Sequence, residues 1–107
     1  MTTYTSSQFE EAVKLIAQPP SEGAVQPSQD DKLLFYGLYK QATVGDNNTP
    51  KPGMMDFTGK YKWSAWDKQK GVSADEAKSK YVEHFLSLLD KDGSESSQKL
   101  KAQVLAA

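Results

Sequence analysis

The sequence predicts an all-α protein, a compact bundle of four helices followed by a polar tail that is either a frayed short fifth helix or disordered. Three observations carry this. Apolar residues recur at i, i+3, i+4 and i+7 in successive segments, no segment alternates with period two, and Ser-x-x-Glu starts and Gly or Pro stops divide the chain into helix-sized pieces. A chain of 107 residues is one domain's worth, enough for one hydrophobic core.

The first helix is announced by Ser7 and Glu10, spaced as a capping box. The stripe Phe9, Ala12, Val13 and Ile16 follows, and the Pro19-Pro20 pair ends it. QPPSEGAVQPSQ, residues 18 to 29, is a long loop by its proline, serine and glycine content. Asp30 and Asp31 mark the start of a second helix that runs through LLFYGLYKQAT to a stop at Gly45. VGDNNTPKPGMMDFT, residues 44 to 58, is an irregular connection. A third helix is expected over about residues 59 to 70, with Gly71 in the stop position. Ser73 and Glu76 form a second capping box, and Val82, Phe85, Leu86 and Leu89 stripe a fourth helix that stops by Gly93. In SESSQKLKAQVLAA only Leu100, Val104 and Leu105 give an apolar face. The expected division is therefore a helical domain over residues 1–92 and an extension over 93–107.

Composition excludes several function classes. With 37% hydrophobic and 25% charged residues the chain reads as soluble, and no apolar run is long enough to span a membrane. It contains no cysteine, which removes disulfides and thiolate chemistry. The first residues carry neither a secretory nor an organellar signal, so the expected compartment is the cytoplasm. A net charge of -1 argues against a nucleic-acid partner. All 13 cationic residues are lysine, so a phosphate would be met by mobile point charges, hydroxyls and backbone amides.

Catalytic chemistry finds no constellation. The single histidine, His84, reads as a solvated residue on the polar side of the fourth helix. One His without Cys makes no usual zinc site, and the glycines follow neither nucleotide-loop spacing. Carboxylates are scattered at helix starts, where the helix dipole accounts for them. No catalytic residue, metal or cofactor is expected.

What stands out is tyrosine beside lysine. In YGLYK, Tyr36, Tyr39 and Lys40 sit at i, i+3 and i+4 and leave a helix from one face. KYKWSAW, residues 60 to 66, and KSKY, residues 78 to 81, repeat the combination on the third and fourth helices. A tyrosine offers a flat face to a base and a hydroxyl to a phosphate, and lysine supplies the countercharge, which suits a phosphorylated nucleotide. Trp63 and Trp66 are expected to be core. Tyr36, Tyr39 and Lys40 are expected to be functional, because Leu33, Leu34, Leu38 and Ala42 already supply apolar residues to that helix.

YKQATVGD, continued by NTPKPGMMDFTGKYKWSAW, closely resembles the signature of the acyl-CoA-binding proteins, and the resemblance extends from about Phe9 to Asp92. It implies an up-down-down-up bundle of four helices, with residues 1–92 as an acyl-CoA-binding domain. It also implies a non-catalytic carrier of long-chain fatty acyl-CoA in fatty acid metabolism, with transient contact to membranes or to acyl-CoA-using enzymes; a complete bundle with no spare apolar face beyond the weak tail leans towards a monomer. Carried over position by position, Tyr36, Lys40 and Lys62 surround the ribose 3'-phosphate, Tyr39 and Tyr81 lie near the adenine nucleotide, and Leu33 lines the acyl-chain groove.

Some positions depart from the family pattern. Ala17 stands where many members have a lysine, Gln26 lies near another such position, and the first loop is longer. Lys14 is a candidate replacement, and the stem of Lys32 can cover the groove beside Leu33. The longer loop predicts a shifted chain-length preference. The alternatives to a carrier are a nucleotide- or RNA-binding module using the same Tyr/Lys face, which would bind free CoA as well as palmitoyl-CoA, and a structural helical adaptor, which would bind neither.

Overall fold

The computed structural model describes residues 3–17 and 27–107. Five helices are present: α1 (Ser6–Ala17), α2 (Gln29–Thr43), α3 (Phe57–Asp67), α4 (Ala74–Asp92) and α5 (Glu95–Ala106). Among the described residues there is no strand, and no helix is long and apolar enough to cross a membrane. The first loop and Gln26 lie outside the described residues.

Helix starts follow the capping logic, at positions that differ from those expected in two places. The box that starts α1 is Thr5 with Gln8: the Gln8 N–H donates to Thr5 Oγ1 (3.1 Å) and the Thr5 N–H donates to Gln8 Oε1 (2.9 Å). Both spacings satisfy the motif, and this one serves two orphan amides reciprocally, leaving Ser7 inside the helix. α2 starts at Ser28, whose hydroxyl accepts from Asp31 N while the Asp31 carboxylate accepts from Ser28 N. Ser73 caps α4 as expected, accepting from Glu76 N at 3.1 Å. α3 begins two residues earlier than expected, because Asp56 accepts from Gly59 N and serves as its cap. It also ends earlier, passing through a turn to Gly71. Gly45 (φ 101°) and Gly93 (φ 68°) take the left-handed conformation that stops a helix, which other residues rarely adopt.

The chain packs as two groups, one of residues 28–77 and one of the remaining N- and C-terminal residues. In the terminal group, Phe9 and Ala12 of α1, Val82, Phe85, Leu86 and Leu89 of α4, and Val104 of α5 are buried. Phe9 meets Tyr81 edge-on with ring centres 5.1 Å apart, a favoured aromatic geometry. The Tyr4 N–H donates to Ser79 Oγ (3.0 Å) and Lys78 Nζ to Ser6 Oγ (3.0 Å). His84 is half-buried rather than solvated, since the buried residues of α4 already cover much of its circumference.

The tail is the helix α5, which packs against α1. Ser94 caps it, accepting from Ser97 N, and the Ser97 hydroxyl donates to Asp92 at 2.6 Å. Gln8 Nε2 donates to the Leu105 carbonyl (3.2 Å), Gln103 Nε2 to Glu11 (2.7 Å), and Lys101 pairs with Asp90 at 2.8 Å. Of the three residues expected to form the apolar face, Val104 is buried, Leu100 half-buried and Leu105 exposed. An isolated 12-residue helix is marginal in water, so tertiary burial carries this one.

In the 28–77 group α2 crosses α3 with Gly37 against the backbone of Ala65, where a Cβ would collide with the Ala65 carbonyl. Phe35, Leu38, Trp66 and Ala77 are its buried apolar residues. The long connection between the helices is tied by side chains. Trp66 Nε1 donates to the Gly45 carbonyl (2.8 Å) and Trp63 Nε1 to the Thr49 carbonyl (3.0 Å). Buried Asn47 donates to the Trp63 carbonyl and accepts from Thr49. Gln41 Nε2 donates to both Asp46 (2.8 Å) and the Val72 carbonyl (2.8 Å). The two tryptophans are thus anchors of the loop, with Trp66 buried and Trp63 half-buried.

Candidate functional site

The site grows from one face of α2. Leu33, Tyr36 and Lys40 stand at i, i+3 and i+7, a spacing that lines them up along the helix. α3 runs beside α2 and adds Lys62. The Lys62 ammonium lies 5.5 Å from the centre of the Tyr36 ring. Lys40 lies 6.0 Å from the same ring and 5.4 Å from that of Trp66. Tyr36 is thus flanked by two cations, one from each helix.

Aromatic faces hold a lysine by attraction to the ring quadrupole, worth about 0.5–1 kcal/mol at exposed sites. This orients the ammonium without neutralising it. Among the described residues neither Lys40 nor Lys62 forms an ion pair with a carboxylate, so both positive charges remain available to an external anion. Lys40 is half-buried and Lys62 exposed. Tyr39, on the same helix, is 41% exposed and offers a ring to a partner.

Next to this cluster is an open cavity of about 740 Å³, the size of a small-molecule cleft. Leu33 and Leu34 of α2 and Ala65 of α3 provide its apolar lining; Tyr61, Ser64 and Lys68 are among its other walls. The cavity and the cation pair therefore lie on the same two helices. Sequence reasoning named Leu33 but missed Tyr61, Ser64, Ala65 and Lys68. Their spacing, at i, i+3, i+4 and i+7 from Tyr61, is a helix-face signal that was available within KYKWSAWDK.

Of the six residues named from the sequence, Tyr36, Lys40 and Lys62 come together, Tyr39 is exposed on the same helix, and Leu33 lines the cavity. Tyr81 belongs to the terminal group. It is 4% exposed, with its ring packed against Phe9. Lys32 and Lys14 are exposed, as is Ala17 at the end of α1. Among the described residues no group of three or more His, Cys, Asp or Glu could hold a metal ion.

The loop after α2 closes on Asp46. Its carboxylate accepts from the Gly71 N–H (2.9 Å) and from Gln41 Nε2. Its pKa is held below the ordinary 3.8, first by the Gly71 N–H and then by the Gln41 amide, with Lys70 adding to them and partial desolvation opposing. Gln41 is buried, and its Oε1 has no hydrogen-bond partner among the described residues. The ionised Asp46 thus ties α2, through Gln41, to the turn that follows α3, at Gly71.

Comparison with known proteins identifies the family and the fold. The family model described as Acyl CoA binding protein matches residues 6–85. Acyl-CoA-binding protein homolog 3 of Caenorhabditis elegans is 43% identical over 84 residues, covering 78% of this chain and 72% of that protein. Acyl-CoA-binding domain-containing protein 5 of Xenopus tropicalis is also 43% identical over 84 residues, but these make up only 18% of that longer protein. The crystal structure of ACBP from Moniliophthora perniciosa superimposes with a TM-score of 0.94 at 44% identity, covering 99% of this chain and 100% of that one. That match includes α5, which lies beyond the residues matched by the family model. The family match spans residues 6–85, well over half of the chain, and it decides membership: the chain belongs to the acyl-CoA-binding protein family.

Proposed function

We propose that the chain is a non-catalytic carrier of long-chain fatty acyl-CoA thioesters. The observation that carries this reading is the pair of unneutralised lysines, Lys40 and Lys62, flanking Tyr36 beside a cavity lined by Leu33. Coenzyme A is a polyanion with a flat base, and its thioesters end in a long apolar tail. A cluster of cations and aromatic rings next to an apolar cleft complements both halves.

In this reading Tyr36, Lys40 and Lys62 hold the ribose 3'-phosphate, and Tyr39 faces the adenine nucleotide. Tyr81 is assigned to the same end on the family resemblance alone. Each charge-assisted hydrogen bond contributes about 1.5–3 kcal/mol, so a few anchor the head. Burying a methylene contributes about 0.8 kcal/mol, and on the order of a dozen add roughly 10 kcal/mol before ordering costs are subtracted. The head would set identity as CoA and the groove would favour long chains. No residue is assigned a bond-making role and no cofactor is invoked.

A monomer in the cytoplasm that buffers acyl-CoA and passes it between membranes and lipid-metabolising enzymes is the physiological role that follows. The deciding experiment is titration calorimetry with palmitoyl-CoA below its micelle concentration, beside free CoA and palmitate. One-to-one binding of the thioester with both fragments much weaker is the expected result. Equal binding of free CoA and palmitoyl-CoA would sink the carrier reading in favour of a nucleotide-binding module.

A further inference from the structure

The connection before α3 presents apolar side chains where a turn ordinarily carries polar ones. The Asp56 N–H donates to the Gly53 carbonyl (3.1 Å), closing a turn whose two central residues are Met54 and Met55. They are 81% and 87% exposed. Phe57, the first residue of α3, is 62% exposed, and Tyr61, one turn later on the same helix face, is 61% exposed. Isolated exposed apolar residues need no explanation, but four within eight positions form an edge that costs solvation in water.

Charge is arranged around this edge. Residues 51–62 hold Lys51, Lys60 and Lys62 against the single acidic residue Asp56, in a chain whose net charge is -1. Asp56 is committed to the cap of α3 through Gly59 N. Flexible methionines and an aromatic ring at the tip, with lysines at the flanks, match an anionic bilayer surface: the apolar groups enter the headgroup and acyl boundary and the ammonium groups remain with the phosphates. The location has a further logic, because Tyr61 also lines the cavity beside Leu33. The edge that would touch lipid is continuous with the wall that would receive an acyl chain.

We infer that Met54, Met55 and Phe57 form a membrane-docking edge for anionic bilayers, joined through Tyr61 to the wall of the cavity and flanked by Lys51 and Lys60. This deepens the membrane contact included in the proposed function. It is tested without acyl-CoA, so that failure of one is distinguishable from failure of the other.

The test is co-sedimentation of the full chain with vesicles of phosphatidylcholine containing phosphatidylserine, and with vesicles of phosphatidylcholine alone. The parent is expected to partition onto the anionic vesicles. The double variant Met54→Ser with Met55→Ser should lose about tenfold or more in partitioning. Lys51→Gln with Lys60→Gln should lose about fivefold per charge and much of the salt sensitivity. Affinity for palmitoyl-CoA in vesicle-free calorimetry should be unchanged in both variants. Because the chain has no cysteine, Met54→Cys carrying an environment-sensitive dye gives a second readout that does not depend on the serine variant folding; its emission should shift to the blue when anionic vesicles are added. No partitioning by the parent, equal partitioning by the serine variant, or no shift of the dye would each overturn the inference. So would a concentration-dependent dimer abolished by the serine pair, which would assign the edge to a second copy of the chain.

Discussion

Gly37 of α2 lies against the backbone carbonyl of Ala65 in α3, with no room between them for a Cβ. The contact sets the separation of the two helices that carry Tyr36, Lys40 and Lys62. Gly37→Ala should therefore overpack the crossing and destabilise the fold by about 1–3 kcal/mol, although alanine is the better helix former. Urea unfolding measures this. An unchanged or raised midpoint would show that the helices separate without cost.

Lys40 and Lys62 predict the response of the head group. Replacing either by alanine should weaken palmitoyl-CoA binding roughly ten- to a hundredfold, the loss of a charge-assisted hydrogen bond. The affinity should also become less sensitive to salt, because one fewer ionic contact is formed. Calorimetry over a range of ionic strength reads both. A variant with parental affinity and salt dependence would remove that lysine from the site.

The cavity beside Leu33 predicts the response of the tail. Affinity should rise steeply from octanoyl- to palmitoyl-CoA and level off once added methylenes no longer enter the cleft. A flat series would refute the assignment of Leu33 to the acyl groove. Shortening the first loop to family length is expected to move the plateau, and identical binding of every chain length by parent and variant would count against that.

Asp46 and Asp92 predict the acid limb of stability. Both carboxylates have pKa values lowered on folding, Asp46 first by the Gly71 N–H and Asp92 first by the Ser94 hydroxyl and then by that of Ser97. A lowered folded-state pKa stabilises the fold fully above the unfolded value. The stabilisation is lost as pH falls through the folded value. Asp46→Asn should thus be less stable than the parent at neutral pH, and the difference should shrink as pH drops below the ordinary carboxylate range. Thermal melts from neutral to strongly acid pH check this; a difference independent of pH would mean the aspartate acts only through geometry.

Removing residues 95–107 should destabilise the chain, since Val104 and Ser97 are fully buried and α5 is bonded to α1. Burial of a valine side chain alone is worth about 1.5 kcal/mol or more. A guanidinium midpoint equal to the parent's would show that α5 contributes no stability.

How much of this was legible in the sequence depended on whether a feature was local. Tyr36, Tyr39 and Lys40 follow from helical spacing on one element, and the stops at Gly45 and Gly93 from backbone sterics. Lys62 came through the family resemblance. The start of α1 is not decided by the sequence, because Thr5/Gln8 and Ser7/Glu10 satisfy the same capping rule and only the completed hydrogen bonds distinguish them. α5 is ambiguous in the sequence for a different reason: its apolar stripe is weak, and what holds it is the burial of Val104 together with the bonds of Gln103 and the Leu105 carbonyl to α1, more than 90 positions away. The contact between Lys40 and Trp66, and the collision point at Gly37, depend on two helices crossing at one place, which periodicity does not report.

The bond from Gln8 to the Leu105 carbonyl joins residues 97 positions apart. During synthesis the apolar face of α1, with Phe9 and Ala12, is made well before the helix that packs against it. Contacts of such long sequence separation form slowly. α1 therefore passes through a period in which its sticky face is unprotected, and in a crowded cell that interval, more than the stability of the finished fold, sets the opportunity for misassociation.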